Sequence, residues 1–279
     1  MNKNDFSIIS FHILNMNLFG VEYDPNTGRP CPVRSAQATS DEHFKIIIEA
    51  VQMMVTAFAL LHSDEDEWSI KILTYAQQRW SEFGHSESEI SKRYVPRPTH
   101  KGHPMTRWVS YSAVTFQWTA NHALELCKER LRRPLLSGKL PDYHQYRPYI
   151  EWFVDNTPTN FENEGWIDMP LCMDDEYKVD EHGVELDSVK AYRQWVISKH
   201  NTFHPITTRR KKPKRRIDWR RCPDRKPNWV ITRDNTNQPK ASTHKGRIIL
   251  RPKDTNNIKS NSNIRSSNPF RGLVFKFNN

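Results

Sequence analysis

Two long stretches of this chain carry apolar residues at a helical period but do not confine them to one face. Across residues 39–61, Phe44, Ile46, Ile47, Ile48, Val51, Met53, Met54, Val55, Phe58 and Leu60 cover nearly the whole circumference. The polar exceptions Lys45, Glu49, Gln52 and Thr56 fall four, three and four apart, on one line. Across residues 99–129 the same arrangement recurs. Trp108, Val109, Val114, Phe116, Trp118, Ala120, Ala123, Leu124, Leu126 and Cys127 surround the helix, while Ser112, Thr115, Thr119, His122 and Glu125 form one stripe. A helix apolar on most sides is buried, and polar groups on it must find partners inside the fold. Each stripe is either a hydrogen-bonded seam to a neighbour or the wall of a polar cleft. Two such helices in one chain favour a shared cleft, since a buried Lys45–Glu49 pair adds little net stability.

The first of these helices should start at Thr39 or Ser40. Thr39 followed by Glu42 matches a capping box, and Asp41 and Glu42 suit the positive end of the helix dipole. Further helices are predicted over residues 67–83, 142–154 and 187–200. The third of these presents Tyr146, Tyr149, Ile150 and Phe153 inward. The last is capped by Asp187, with Val189, Tyr192 and Val196 on one side. Residues 1–23 read as short strands or an irregular lead-in, residues 24–32 as a turn, and residues 84–98 and 156–164 as polar connections. No alternation of strands and helices points to a parallel sheet, so the body is expected to be mainly α.

Charge divides the chain. Residues 201–279 hold 21 Lys/Arg and 4 Asp/Glu, a net of +17, whereas residues 1–200 hold 21 against 28, a net of −7. That asymmetry predicts a helical body over residues 1–208 and a basic, largely extended or disordered tail over residues 209–279, whose partner is a polyanion. The run Arg209, Arg210, Lys211, Lys212, Pro213, Lys214, Arg215, Arg216 suits phosphate neutralisation, and Trp219, Arg220 and Arg221 follow it, then Arg225, Lys226 and Trp229. The tryptophans either stack on unpaired bases or dock the segment back onto the body. Residues 235–268 are rich in Asn, Ser and Lys and are expected to be disordered, with brief strand-like exceptions at residues 246–250 and 272–277. DNA is the expected partner, with RNA an open alternative.

Other classes are set aside by composition. No stretch approaches the roughly 20 apolar residues of a membrane span, and residues 6–19 are too polar for a secretory signal. Cys31, Cys127, Cys172 and Cys222 are scattered, against a disulfide framework or zinc knuckle and consistent with a reducing cytoplasm. Phosphate-binding, dinucleotide-binding, nucleophile-elbow and zincin motifs are absent. His100 and His103 are close enough to share a metal, but no acid or cysteine stands at a diagnostic distance, so no metal or cofactor is expected. With Lys45 they equally suit a phosphate or pyrophosphate. Asp174, Asp175 and Glu176 could hold a cation or an amine, or form a solvated loop, and Tyr192 and Arg193 offer a ring and a guanidinium.

Taken in order, these segments resemble a family of mostly helical proteins common in tailed phages. The resemblance covers roughly residues 24–229. It rests on Lys45, Glu49, Gln52, Met53 and Thr56; on Pro98, Thr99, His100, His103 and Pro104 leading into Trp108, Ser112, Phe116 and Trp118; and on Met173, Asp175, Glu176, Tyr177 and Lys178 with Ala191, Tyr192 and Arg193. The basic close around Trp219 and Trp229 extends it. The chain departs from the family where Ser110 and Thr115 replace an arginine and an asparagine, where Asp174 replaces a proline, and where Glu42, beside His43, takes the place of a histidine. The resemblance implies a phage DNA base-modifying transferase similar to amino-acid:DNA transferases of thymine hypermodification. In that chemistry an amino acid attacks a pyrophosphorylated hydroxymethyl group on a DNA uracil. On that reading Lys45, His100 and His103 steady the leaving pyrophosphate, Glu49 is general base and Gln52 is a further catalytic candidate. Ser112, Asp175, Glu176, Tyr177, Tyr192 and Arg193 bind substrate, the partners are DNA and a free amino acid, and the setting is a host cytoplasm. The alternatives are a non-catalytic nucleic-acid-binding accessory protein and a base-excising glycosylase.

Overall fold

A computed structural model describes residues 16–62, 65–134, 144–201 and 217–230. The basic run at residues 209–216, the lead-in before residue 16 and the features expected beyond residue 230 lie outside the described residues. All the described residues belong to one compact unit, Met1–Asn235. The described part of that unit is mainly α. Among the described residues its β content is two isolated antiparallel bridges, Tyr23–Pro30 and Val179–Glu185.

The helices are α1 (Pro32–Ala38), α2 (Ile46–Leu61), α3 (Glu65–Glu82), α4 (Glu87–Ile90), α5 (Pro104–Val109), α6 (Ala113–Arg132), α7 (Arg147–Asp155) and α8 (Ser188–Asn201). Short 3-10 turns stand at Asp41–Lys45, Asp175–Tyr177 and Pro223–Arg225. The layout follows the periodicity, with four corrections. The expected capping box at Thr39 does not form. Thr39 Oγ1 donates to the Ser35 carbonyl (2.8 Å) and a Glu42 carboxylate oxygen accepts the Asp218 N–H (2.9 Å), so neither group is available and the α-helix starts only after the 3-10 turn. Residues 99–129 hold two helices rather than one. Ser112 is extended (φ −153°) and caps α6, exchanging hydrogen bonds with Thr115 in a reciprocal box. Helix α7 starts at Arg147 rather than residue 142, with Pro148 in its first turn. Helix α1 was not foreseen; Pro32 opens it and its seven residues are too few to show a period. The cap on α8 is as expected, Asp187 Oδ1 accepting the Lys190 N–H at 3.0 Å.

Helix α2 lies at the centre, packed on α5 and α6; α6 also packs on α1 and α7, and α3 on α7. Ile46, Ile47, Ala50, Val51, Met53, Met54 and Val55 are fully buried. Each large side chain among them stabilises the fold by about 1.5–3 kcal/mol. Residues Asp41–Leu61 are, contrary to the expectation above, long and apolar enough to cross a membrane by length and composition. In this fold that surface is largely covered by the neighbouring helices. Phe58 closes the far end, its ring 5.3–5.9 Å from those of Trp68, Phe116, Trp152 and Phe153.

Residues 217–230 return to the body. Ile217, Trp219 and Val230 are buried, Asp41 N–H donates to the Asp218 carbonyl (2.9 Å), and Trp219 Nε1 donates to the Ala38 carbonyl (3.0 Å). The shift in charge at residue 209 therefore does not coincide with the end of packing, which continues through Val230.

Candidate functional site

One residue of the α2 stripe, Thr56, meets the segment that leads into the histidine turn. Thr56 Oγ1 accepts the Thr99 N–H at 2.9 Å and lies 2.7 and 2.9 Å from the Gln52 and Thr99 carbonyls. This docks residues 99–103 against α2 one turn beyond Gln52, which is half-buried. Lys45, at the helix entrance, is exposed (55% of its side chain) and pairs with Glu49 Oε1 at 3.0 Å. An ion pair of that exposure contributes little stability. Glu49 is far less exposed, at 16%, and its Oε2 is buried with no hydrogen-bond partner among the described residues. His100 is exposed and holds a left-handed backbone, φ 56°. Such a conformation is uncommon for a residue with a side chain and is found where structure or function imposes it. His103 is buried and caps α5, its Nδ1 accepting the Met105 N–H at 3.1 Å, which in the neutral ring leaves the proton on Nε2.

The stripe of α6 does not face that of α2 across a hollow. Ser112 Oγ reaches the Gly165 carbonyl (2.6 Å) besides capping its helix, Thr119 lies 2.9 Å from the Thr115 carbonyl, and His122 Nδ1 lies 2.9 Å from the Pro32 carbonyl of α1. Glu125 pairs with Lys128 at 2.5 Å. These groups bond within the helix or across to Gly165 and Pro32, so the stripe forms a seam in place of the expected shared cleft, and Ser112 serves as a cap. Burial explains why: a buried hydroxyl or ring nitrogen left without a partner costs about 1–3 kcal/mol.

The residues assigned to the substrate divide likewise. Asp175 is exposed (96% of its side chain) and pairs with Lys178 at 2.7 Å, and Glu176 is exposed beside it. Tyr177 is buried with its hydroxyl 3.2 Å from Ser198 Oγ. Tyr192 is fully buried, its hydroxyl 2.9 Å from Asn17 Oδ1 and 2.8 Å from the Pro170 carbonyl; burial pushes its ionisation far above the usual range. Arg193 ties α8 to the lead-in through the Val21 carbonyl and Glu22, both at 2.7 Å. Tyr192 and Arg193, expected to bind substrate, thus clamp residues 17–22 to α8.

In the C-terminal segment Trp219 is 3% exposed and anchors rather than stacks on bases. Arg221 donates to the Pro134 and Arg133 carbonyls (2.8 and 2.7 Å), and its N–H to Asp41 (2.9 Å). Arg220, exposed, pairs with Asp218 at 2.5 Å. Arg209, Arg210, Lys211, Lys212, Lys214, Arg215 and Arg216 lie outside the described residues. No sequence pattern pointed to Arg133, which is fully buried and donates to the Thr39 and Gln37 carbonyls (2.6 and 2.9 Å) beside Asp41 and the fully buried Glu129. Glu129 also receives Arg132 (2.7 Å) and Arg225 (3.2 Å), so it joins the end of its own helix to the C-terminal segment.

Burial depresses two core histidines, His43 to about 3 and His122 to about 4. His43 stacks on Phe19 at 4.7 Å, and Lys45 nearby adds to its shift. Among the described residues no three His, Cys, Asp or Glu side chains come together to hold a metal. Cavities of about 740, 390, 290 and 160 Å³ open elsewhere on the surface, and none of these four is lined by Lys45, Glu49, Gln52, His100 or His103. Glu49 and His100 thus stand outside these cavities, the one with a carboxylate oxygen that has no partner among the described residues, the other with a left-handed backbone. No family model, no curated protein and no solved structure matches this chain.

Proposed function

We propose that this chain is a nucleic-acid-binding protein that grips the phosphate backbone through the basic sequence beyond residue 208. The observation that carries this reading is the separation of charge, +17 over residues 201–279 against −7 over residues 1–200. His200 Nδ1 lies 2.5 Å from the Ile217 carbonyl, so the described residues on either side of that sequence are held together. The test replaces the seven cations of residues 209–216 with glutamine in the whole chain and follows a labelled duplex by fluorescence anisotropy. Affinity at low salt should fall by roughly a hundredfold or more. Unchanged affinity contradicts the reading.

The second reading, a base-modifying transferase resembling the phage amino-acid:DNA transferases, is favoured by the α2 edge. Thr56 of the stripe bonds Thr99, next to the histidine turn, Glu49 Oε2 has no hydrogen-bond partner among the described residues, and His100 is strained. In this reading Glu49 accepts the proton of the incoming amine, and Lys45, His100 and His103 hold the leaving pyrophosphate. Digesting DNA from phage that carry the chain to nucleosides and weighing them tests it. A modified nucleoside that disappears with Lys45→Ala or His103→Ala, duplex affinity being retained, supports it. Unmodified thymidine alone speaks against it.

A further inference from the structure

Between α1 and residues 223–229 lies a cavity of about 390 Å³ whose charges are not balanced by their neighbours. Arg34 and Lys226 line it, and among the described residues neither has an acidic partner. Arg225 lines it too, with Glu129 3.2 Å from its guanidinium.

The wall holds three cations against two acids; Glu22 is paired with a cation, whereas Asp224 keeps its negative charge beside a neutral thiol. Glu22 accepts Trp229 Nε1 at 2.6 Å on one oxygen and Arg193 at 2.7 Å on the other. Asp224 accepts the Cys222 thiol at 3.0 Å, and that contact holds its carboxyl below the usual range. The side-chain amides of Gln37 and Asn228 add neutral donors to the lining.

From this geometry we infer that the cavity is a phosphodiester site, with Arg34 and Lys226 as its contacts to phosphate oxygens. The inference deepens the nucleic-acid reading and rests on it. An arginine fork and a lysine ammonium that line one space, with no acidic partner among the described residues, offer charge-assisted donors to an anion. The volume takes one phosphate with part of its sugar. The covalent continuity of this wall with the seven cations at residues 209–216 selects a polymeric phosphate over a free one. The site adds to the C-terminal cations a contact from α1, near the other end of the chain.

The test uses the whole chain with Arg34→Gln/Lys226→Gln, beside the variant neutralised at residues 209–216. Duplex DNA, single-stranded DNA and RNA of one sequence are each titrated across a salt series. The double variant should melt at the wild-type temperature and lower the slope of log affinity against log salt by about 2, with a loss of tenfold or more near 0.1 M salt. Wild-type slope and affinity in the double variant, while the 209–216 variant fails to bind, overturn this inference and leave the parent reading intact. Absence of binding by the wild-type chain overturns both. Inorganic phosphate is the remaining arm. If it raises the melting temperature of the wild type but not of the double variant, and nucleic-acid affinity is equal in the two, the site holds free anions and the polymer assignment is overturned.

Discussion

Thr56 Oγ1 and the backbone of Thr99 are joined on both sides of the peptide: the hydroxyl accepts the Thr99 N–H at 2.9 Å and lies 2.9 Å from the Thr99 carbonyl. A single polar side chain on a helix with a largely buried surface thus sets where His100 and His103 begin. Thr56→Val keeps the shape but leaves the Thr99 amide without its acceptor, at an expected cost of about 1–3 kcal/mol. Thr56→Ser should retain most of that. Urea denaturation measures both, and a valine variant within about 0.5 kcal/mol of wild type shows that the turn is held by other means.

Trp219 is expected to act in stability and not in nucleic-acid contact. Its indole donates to the Ala38 carbonyl and is 97% covered. Trp219→Phe should cost about 1 kcal/mol or more through the lost bond and volume. The salt dependence of DNA binding should not change. A reduced slope with unaltered stability returns Trp219 to the role the sequence suggested.

Acid should unfold this protein through its buried histidines. His43 and His122 have ionisations lowered to about 3 and about 4, well below the unfolded value near 6.5. Between those limits the unfolded chain binds more protons, so their contribution is complete above about pH 6.5 and is lost as pH falls towards 4, each adding a slope of up to about 1.4 kcal/mol per pH unit. Stability measured from pH 7 to pH 4.5 should fall along that slope, and His122→Gln should flatten it. A profile with no loss across that window contradicts the burial of both rings.

Arg133 joins α1, α6 and the 3-10 turn at Asp41–Lys45. Its guanidinium serves two carbonyls, Asp41 and Glu129 with no exposed surface. Arg133→Ala should destabilise by about 3–5 kcal/mol because it strands buried charge. Arg133→Lys should recover little, since an ammonium cannot span acceptors placed for a planar fork. Thermal and urea unfolding decide this, and near-full rescue by lysine contradicts it.

Periodicity revealed the helical class and the course of α2, α3 and α8, because burial writes itself into residue spacing. It could not distinguish a cap from a cleft. Ser112 and Thr115 sit on the same stripe whether they line a hollow or bond each other, and only the break at Ser110–Tyr111 decides for the cap. Tyr192, Arg193 and Trp219 looked like ligand groups because each joins a polar tip to an apolar or extended body, yet that combination equally suits an interior clamp. Arg133 left no pattern at all, since its acceptors are backbone carbonyls from a helix it meets only after folding.

The most direct test of the account is the salt dependence of duplex binding by the wild-type chain. Seven cations in residues 209–216 acting together should give a slope of log affinity against log salt of roughly −6 or steeper. A slope near zero, or no binding at low salt, contradicts the central claim that the basic sequence exists to hold nucleic-acid phosphates.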